Sequence, residues 1–482
     1  MSLVRAAILS LPAAIFKLLP GDQQASVLAS GEGMRALARR GQAGRTVALI
    51  GRLDPSQQVA ILSVAGFIAQ LARRGQAGKT LEVIQKLTST QQTSVLSARD
   101  AVAALASHGH VARTLALIQK VNPAQQTTIL SAHDAISGLV NNGQAARTLL
   151  LIQKLDAAQQ GKILSGPNAV LHLARNGQAA ETIAIIANLD ADQQAQVLVG
   201  ADALSALAHN GQAAQAIGIM EKLNISQQAQ ILSMGRSVAE LARTTAARTL
   251  ALIRTLDPAQ QTQVLAAPGA VLGLSNNGQA AEVLGLIEKL STEQQATAMM
   301  AEGAVHGLGA HGQAARTFAL FENLDIELQT RILTTDGAVS GLAHEAQAAR
   351  TLELIDSFDP EQQAKIFATN GSVAGLARDG ESGRALALIE TLDPDQQTRI
   401  LMAEGAVSAL ARDGQAARTL TLIKALAPTR QTRILSTVGV VHDLIDWGQR
   451  EPVLALIQNL HPDLRTRVLA AASDSLKNNG TQ

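Results

Sequence analysis

One side chain in every thirty-fourth position stands ready to form hydrogen bonds. Taken along the chain these are Arg40, Arg74, His108, Asn142, Asn176, Asn210, Thr244, Asn277, His311, Glu345, Asp379 and Asp413, with Trp447 closing the row. Arg suits the acceptor edge of guanine, Asn the paired donor and acceptor of adenine, and a carboxylate the amino group of cytosine. The row is therefore a set of base-reading candidates. The same position precedes a glycine that ends a helix, where exposure alone calls for a polar residue, so capping is the competing account.

A second row lies four residues after the glycine. It reads Arg45, Lys79, Arg113, Arg147, Glu181, Gln215, Arg248, Glu282, Arg316, Arg350, Arg384 and Arg418. One cation per repeat at a fixed rise can follow a phosphate backbone. Each cation can equally pair with an acid in the neighbouring repeat. No catalytic constellation accompanies these rows. The ten histidines are scattered, no cysteine is present, and no acid or cysteine recurs at metal-ligand spacing beside His108 and His110. Phosphate-cradling, dinucleotide and nucleophile-elbow motifs are missing too. The expectation is a protein that is not an enzyme and takes no cofactor or metal.

What positions the rows is the repeat itself. Its glycine recurs at Gly41, Gly75, Gly109, Gly143, Gly177, Gly211, Gly278, Gly312, Gly380, Gly414 and Gly448. Thr244 or Thr245 and Ala346 replace it where it is absent. A period of 34 residues, with one unit of 33 near Thr244, marks a solenoid. In residues 121–154, Asn122-Pro123 opens a first helix that reaches Ile129-Leu130. A turn at Ser131–Asp134 leads to a short second helix with Ile136, Leu139 and Val140 facing inward. Gly143 ends it, and a third helix runs from Gln144 to Lys154 with Leu149, Ile152 and Leu155 as its apolar stripe. No unit buries that stripe alone, so neighbours must stack.

Composition agrees. Tyr is absent and Trp occurs once, so Ala, Leu, Ile and Val fill the core. The net charge is +1, yet residues 1–90 hold eleven Lys or Arg against four Asp or Glu. That basic end reads as an electrostatic landing site or as a soluble cap. No segment has the run of roughly 18 apolar residues that a membrane span needs. Residues 5–19 look like a short signal peptide, but Leu19-Pro20-Gly21-Asp22 falls one period before Leu53-Asp54-Pro55-Ser56, so a degenerate first repeat is the better reading. The expected layout is one elongated domain, with a basic N-terminal cap at 1–40, tandem repeats over 41–447 and a C-terminal capping repeat at 448–482. No membrane association and a monomer are expected.

Asn141-Asn142-Gly143-Gln144-Ala145, Asn276-Asn277-Gly278-Gln279-Ala280 and Arg412-Asp413-Gly414-Gln415-Ala416 resemble the variable loop of TAL effectors and TALE-like DNA-binding repeats. Leu392-Asp393-Pro394-Asp395-Gln396 is similar to the helix opening of that family. The resemblance implies an all-α, right-handed α-solenoid superhelix of about thirteen repeats. It implies that the second member of each pair contacts a base in the major groove of double-stranded DNA, and that Gly143 and Gln144 lie near phosphate. The basic N-terminal units would be similar to the family's non-specific nucleating region. Such a protein would be cytoplasmic, or delivered to a host nucleus as a bacterial effector. Tetratricopeptide and pentatricopeptide repeats are the other resemblance, and the competing reading of function is a helical-repeat scaffold that holds a protein or peptide on its concave face.

Overall fold

The computed structural model describes residues 43–479 apart from residue 201. The expected N-terminal cap, with Arg40 and Gly41, lies outside that range. The described residues form an all-α helical-repeat array with no strand among them. Contacts separate two compact units, the first ending at Ser237 and the second starting at Val238, where the sequence reading expects one domain. The boundary falls at the start of helix Ser237–Thr255, in the repeat that is one residue short.

Each repeat has the three expected helices. In residues 121–154 they are Pro123–Leu130, Ala135–Leu139 and Ala145–Gln153. The first is opened by a reciprocal cap: Gln125 N–H donates to Asn122 Oδ1 at 2.9 Å, and the Gln125 side chain accepts from Asn122 N–H at 3.2 Å. The next residue, Gln126, is buried and donates to Val121 O at 2.9 Å. The recurring Gln-Gln pair thus has two tasks. Its first member closes a helix start, and its second satisfies a carbonyl left over where the preceding helix ends.

The turn into the second helix passes through Asp134 at φ 60. This left-handed position is filled by Gly66, Asp100, Asp134, Asn168 and Asp202 in the first unit and by glycine from Gly269 to Gly439 in the second. Ile136, Leu139, Val140, Leu149, Ile152 and Leu155 are all buried, as their spacing requires. Each fully buried side chain of this size contributes about 1.5–3 kcal/mol. Second helices of successive repeats approach backbone to backbone. A Cβ on Gly375 would stand 2.5 Å from Ser340 Cα, so only glycine fits there.

Among the described residues one stretch, Ala101–Lys120, has the length and apolarity of a membrane span, which the sequence reading did not expect. It is broken by His108 (φ −103) and Gly109 (φ 85), and half of it is buried within the array. It is a second and a third helix joined by the glycine loop. At the other end the last two helices are Arg450–Gln458 and the longer Pro462–Asn479.

Candidate nucleic-acid interface

The glycine loop closes the second helix. Gly143 takes φ 83, a conformation that costs an L-residue roughly 1–2 kcal/mol. The residue before it turns its side chain back onto the helix. Asn142 Nδ2 donates to Gly138 O at 2.7 Å, Asn210 to Ala206 O at 2.7 Å, Asn277 to Gly273 O at 2.7 Å and Asn176 to His172 O at 2.9 Å. His108 Nδ1 lies 2.8 Å from Ala104 O. The last carbonyls of a helix have no donor of their own, and a short side chain with an N–H supplies one. Capping thus accounts for the four Asn and for His108 in this row. An Asn so used keeps its Oδ1 and its second N–H for another partner.

Neighbouring loops are linked. Asn176 Nδ2 also donates to Asn141 Oδ1 at 3.0 Å, and His311 Nε2 lies 2.8 Å from Asn276 Oδ1. Arg378 Nη2 is 3.2 Å from His344 Nε2. The pairs form a polar edge along each unit. In the first unit Arg73, Ser107, His108, Asn141 and Asn142, from three repeats, line one groove of about 430 Å³, with Asp100 and Asp134 at its other side.

The row has exceptions. In the short repeat Thr244 stands three residues after Leu241, as Asn210 does after Leu207, while Thr245 (φ −136) holds the place of the glutamine after the glycine: its carbonyl accepts from Thr249 Oγ1 at 3.0 Å and its hydroxyl donates to Leu241 O at 2.6 Å. The one-residue deletion has removed the glycine itself. Glu345 and Ala346 both have positive φ, and the Glu345 carboxylate accepts from Ala314 N–H at 3.0 Å, at the start of the preceding repeat's third helix. Asp379 accepts from Arg378 at 3.3 Å, while Arg74 and Asp413 are exposed. Trp447, which closes the row, is 46% exposed, because the loop carries it outward beside Gly448 (φ 83).

The cation row behaves differently in the two units. In the second, Arg316 Nη2 meets both oxygens of Glu288 at 2.8 Å, and Arg350 pairs with Glu322. Arg384 reaches Glu381 at 3.2 Å and Glu353 at 3.6 Å, and Arg418 holds Glu390 through two nitrogens. The Glu390 carboxylate raises the Arg418 pKa above its ordinary value. Pairing with an acid of the neighbouring repeat, one of the two accounts of this row, is what the second unit displays. The first unit has no such acids: Arg113 donates to Gln85 at 3.2 Å and Arg147 to Gln144 at 3.4 Å. Arg45 and Lys79 are exposed, as is Arg248, which belongs to the second unit and is not without a partner. The sequence signal for this difference was an acid 28 residues before the arginine, an offset that a search along single rows does not reveal.

Two titratable clusters also come together only in the fold. His133 Nδ1 lies 2.7 Å from Asp134 and 3.5 Å from Asp100, a partly exposed group with metal-ligand geometry that linear spacing did not suggest. In the second unit the His306 and His344 rings are 5.9 Å apart, and His306 Nδ1 is buried without a partner. Burial lowers the pKa of both; His344, Arg378 and His311 lower that of His306 further.

No family model and no curated protein matches this sequence. Among solved structures, the chain is similar to the pentatricopeptide repeat protein PPR10 in complex with an 18-nucleotide psaJ RNA element. The TM-score is 0.44 at 16% identity over 100% of this chain and 73% of that one. It is also similar to a chain of the full-length AP-3 complex, at TM-score 0.44 and 12% identity over 95% of this chain and 93% of that one. Likeness at this level decides no function.

Proposed function

We propose that this chain is a non-enzymatic helical-repeat protein that binds nucleic acid, with double-stranded DNA as the first ligand to test. One observation carries the reading: the variable polar pairs of successive repeats hydrogen-bond to one another and open into a shared groove. A partner with a regular repeat of polar edges matches such a surface. Because His108, Asn142, Asn176, Asn210 and Asn277 are engaged with their own helices, backbone tracking dominates there and base selection is secondary. The Oδ1 and second N–H of Asn142, Asn210 and Asn277, and the Oδ1 of Asn176, are the groups left for base edges.

Fluorescence anisotropy tests this with a randomised DNA duplex, its single strand and an RNA of the same length, at about 50 and 200 mM salt. Binding that weakens steeply with salt is expected. If none of the three binds at the lower salt, the reading fails and the polar edge becomes a surface for a protein or peptide.

A further inference from the structure

We propose that the nucleic-acid backbone is held in the first unit alone, by the third helices of the four repeats that begin at Arg45, Lys79, Arg113 and Arg147, on a face that carries two cations in each of them. The same face of the second unit is silenced by its own carboxylates. This inference rests on the nucleic-acid reading above and names where that partner's phosphates sit.

Seven residues after each of the first four cations stands another: Arg45 is followed by Arg52, Lys79 by Lys86, Arg113 by Lys120 and Arg147 by Lys154. Seven residues are nearly two full helical turns, so Lys79 and Lys86, Arg113 and Lys120, and Arg147 and Lys154 each share one stripe with about 10 Å between members, while Arg52 lies in the turn just past helix Ala43–Ile50. All eight side chains are exposed. The four helices that bear these pairs contain a single acid, Glu82. Asp54 and Asp156, which follow two of the pairs, accept from Gln57 N–H at 3.0 Å and Gln159 N–H at 2.8 Å as helix caps.

The second unit lacks the pairing altogether. Arg248, Glu282, Arg316, Arg350, Arg384 and Arg418 are followed at the same offset by Thr255, Lys289, Asn323, Ser357, Thr391 and Ala425. No third helix there carries both cations. Its arginines are answered by acids, and Glu288, Glu322 and Glu390 all lie 28 residues before the arginine they pair with. At that offset from Lys79, Arg113 and Arg147 the first unit has Gly51, Gln85 and Gln119. Glutamine accepts a hydrogen bond but leaves the cation's charge in place. Where the acid is missing there is also space: Arg147, Lys154, Gln119 and Leu150 line a groove of about 620 Å³ between helices Val111–Lys120 and Ala145–Gln153. Overall charge follows the same division. Residues 1–237 hold 20 Lys or Arg against 12 Asp or Glu, and residues 238–482 hold 20 against 27.

A phosphate approaching these four repeats of the first unit gains two cations from each and releases counterions. One approaching the second must break an ion pair and faces the displaced carboxylate. The test uses the full chain with a DNA duplex and an RNA as probes, and circular dichroism to confirm that the exposed substitutions leave the helices intact. Substituting Lys79, Lys86, Arg113, Lys120, Arg147 and Lys154 together by Gln should weaken binding about tenfold or more at low salt. It should also flatten the salt dependence by roughly 0.7–0.9 for each phosphate no longer neutralised. R316Q/R350Q/R418Q should change affinity less than about twofold. E288Q/E322Q/E390Q should tighten binding severalfold, a gain that misfolding cannot mimic.

If the chain binds but the sixfold variant binds equally well, or the second-unit arginines matter as much, this inference falls and the nucleic-acid reading stands. If the unmodified chain binds neither probe at low salt, both fall. Equal affinity for dextran sulfate would also overturn the proposal, since any polyanion would then serve.

Discussion

Glu288 and Arg316 lie 28 residues apart in the chain and meet across two repeats, with Arg316 Nη2 donating to both carboxylate oxygens at 2.8 Å and Nε to one of them at 3.2 Å. Both side chains are partly exposed, so the pair is screened by solvent and salt. Glu288→Gln should lower stability by about 0.2–1 kcal/mol at low salt, and by nothing measurable near 1 M salt. Urea titration at the two salt concentrations checks this. A loss that persists at high salt would mean that the two side chains act through packing.

The cap donated by Asn142 gives a second prediction. Asn142→Ala removes the N–H that satisfies Gly138 O and should cost about 0.5–1.5 kcal/mol. Asn142→Asp should cost more, because a carboxylate would face a carbonyl. Gly143→Ala should cost roughly 1–2 kcal/mol through its φ of 83. Amide exchange should locate all three losses in the loop and its flanking helices.

Gln126 tests the buried half of the Gln-Gln pair. Gln126→Met keeps the volume but leaves Val121 O without its donor, and should cost about 1–3 kcal/mol. Gln125→Ala, at the partly exposed cap, should cost less. Thermal melting of the two variants side by side gives the order, and the reverse order would refute the division of tasks.

The histidine pair predicts a pH dependence. Burial holds His306 and His344 below the ordinary value of 6.5, so at mildly acidic pH the unfolded chain binds more protons than the folded one. Stability should be complete above about pH 6.5 and should fall as the pH drops below it. Melting temperature measured from pH 8 to pH 5.5 checks this, and the double substitution His306→Gln/His344→Gln should flatten the curve. An unchanged curve would mean that other groups set it.

Much of the architecture is legible in one dimension. Asn122-Pro123, Ile136-Leu139-Val140, Gly143 and Leu149-Ile152-Leu155 are local signals, and each reports on backbone and burial within a few residues. A repeat multiplies such signals, so helix number, order and inner faces follow from the sequence. Function was less legible because Asn142 satisfies two demands with one residue type. A polar residue beside a glycine reads the same whether its N–H points to solvent or back to Gly138 O.

What the sequence alone determined, then, is the three-helix repeat, its period and the rows of residues that any stacked array must align. Only the tertiary structure decided which cations remain available. Arg147 and Arg316 occupy the same position of the repeat and the same place on their helices. The difference lies in what the preceding repeat sets beside them, Gln119 lining the same groove in one case and Glu288 in the other. Charge is neutralised through space across repeats, so its outcome is written in the packing and not in the local sequence.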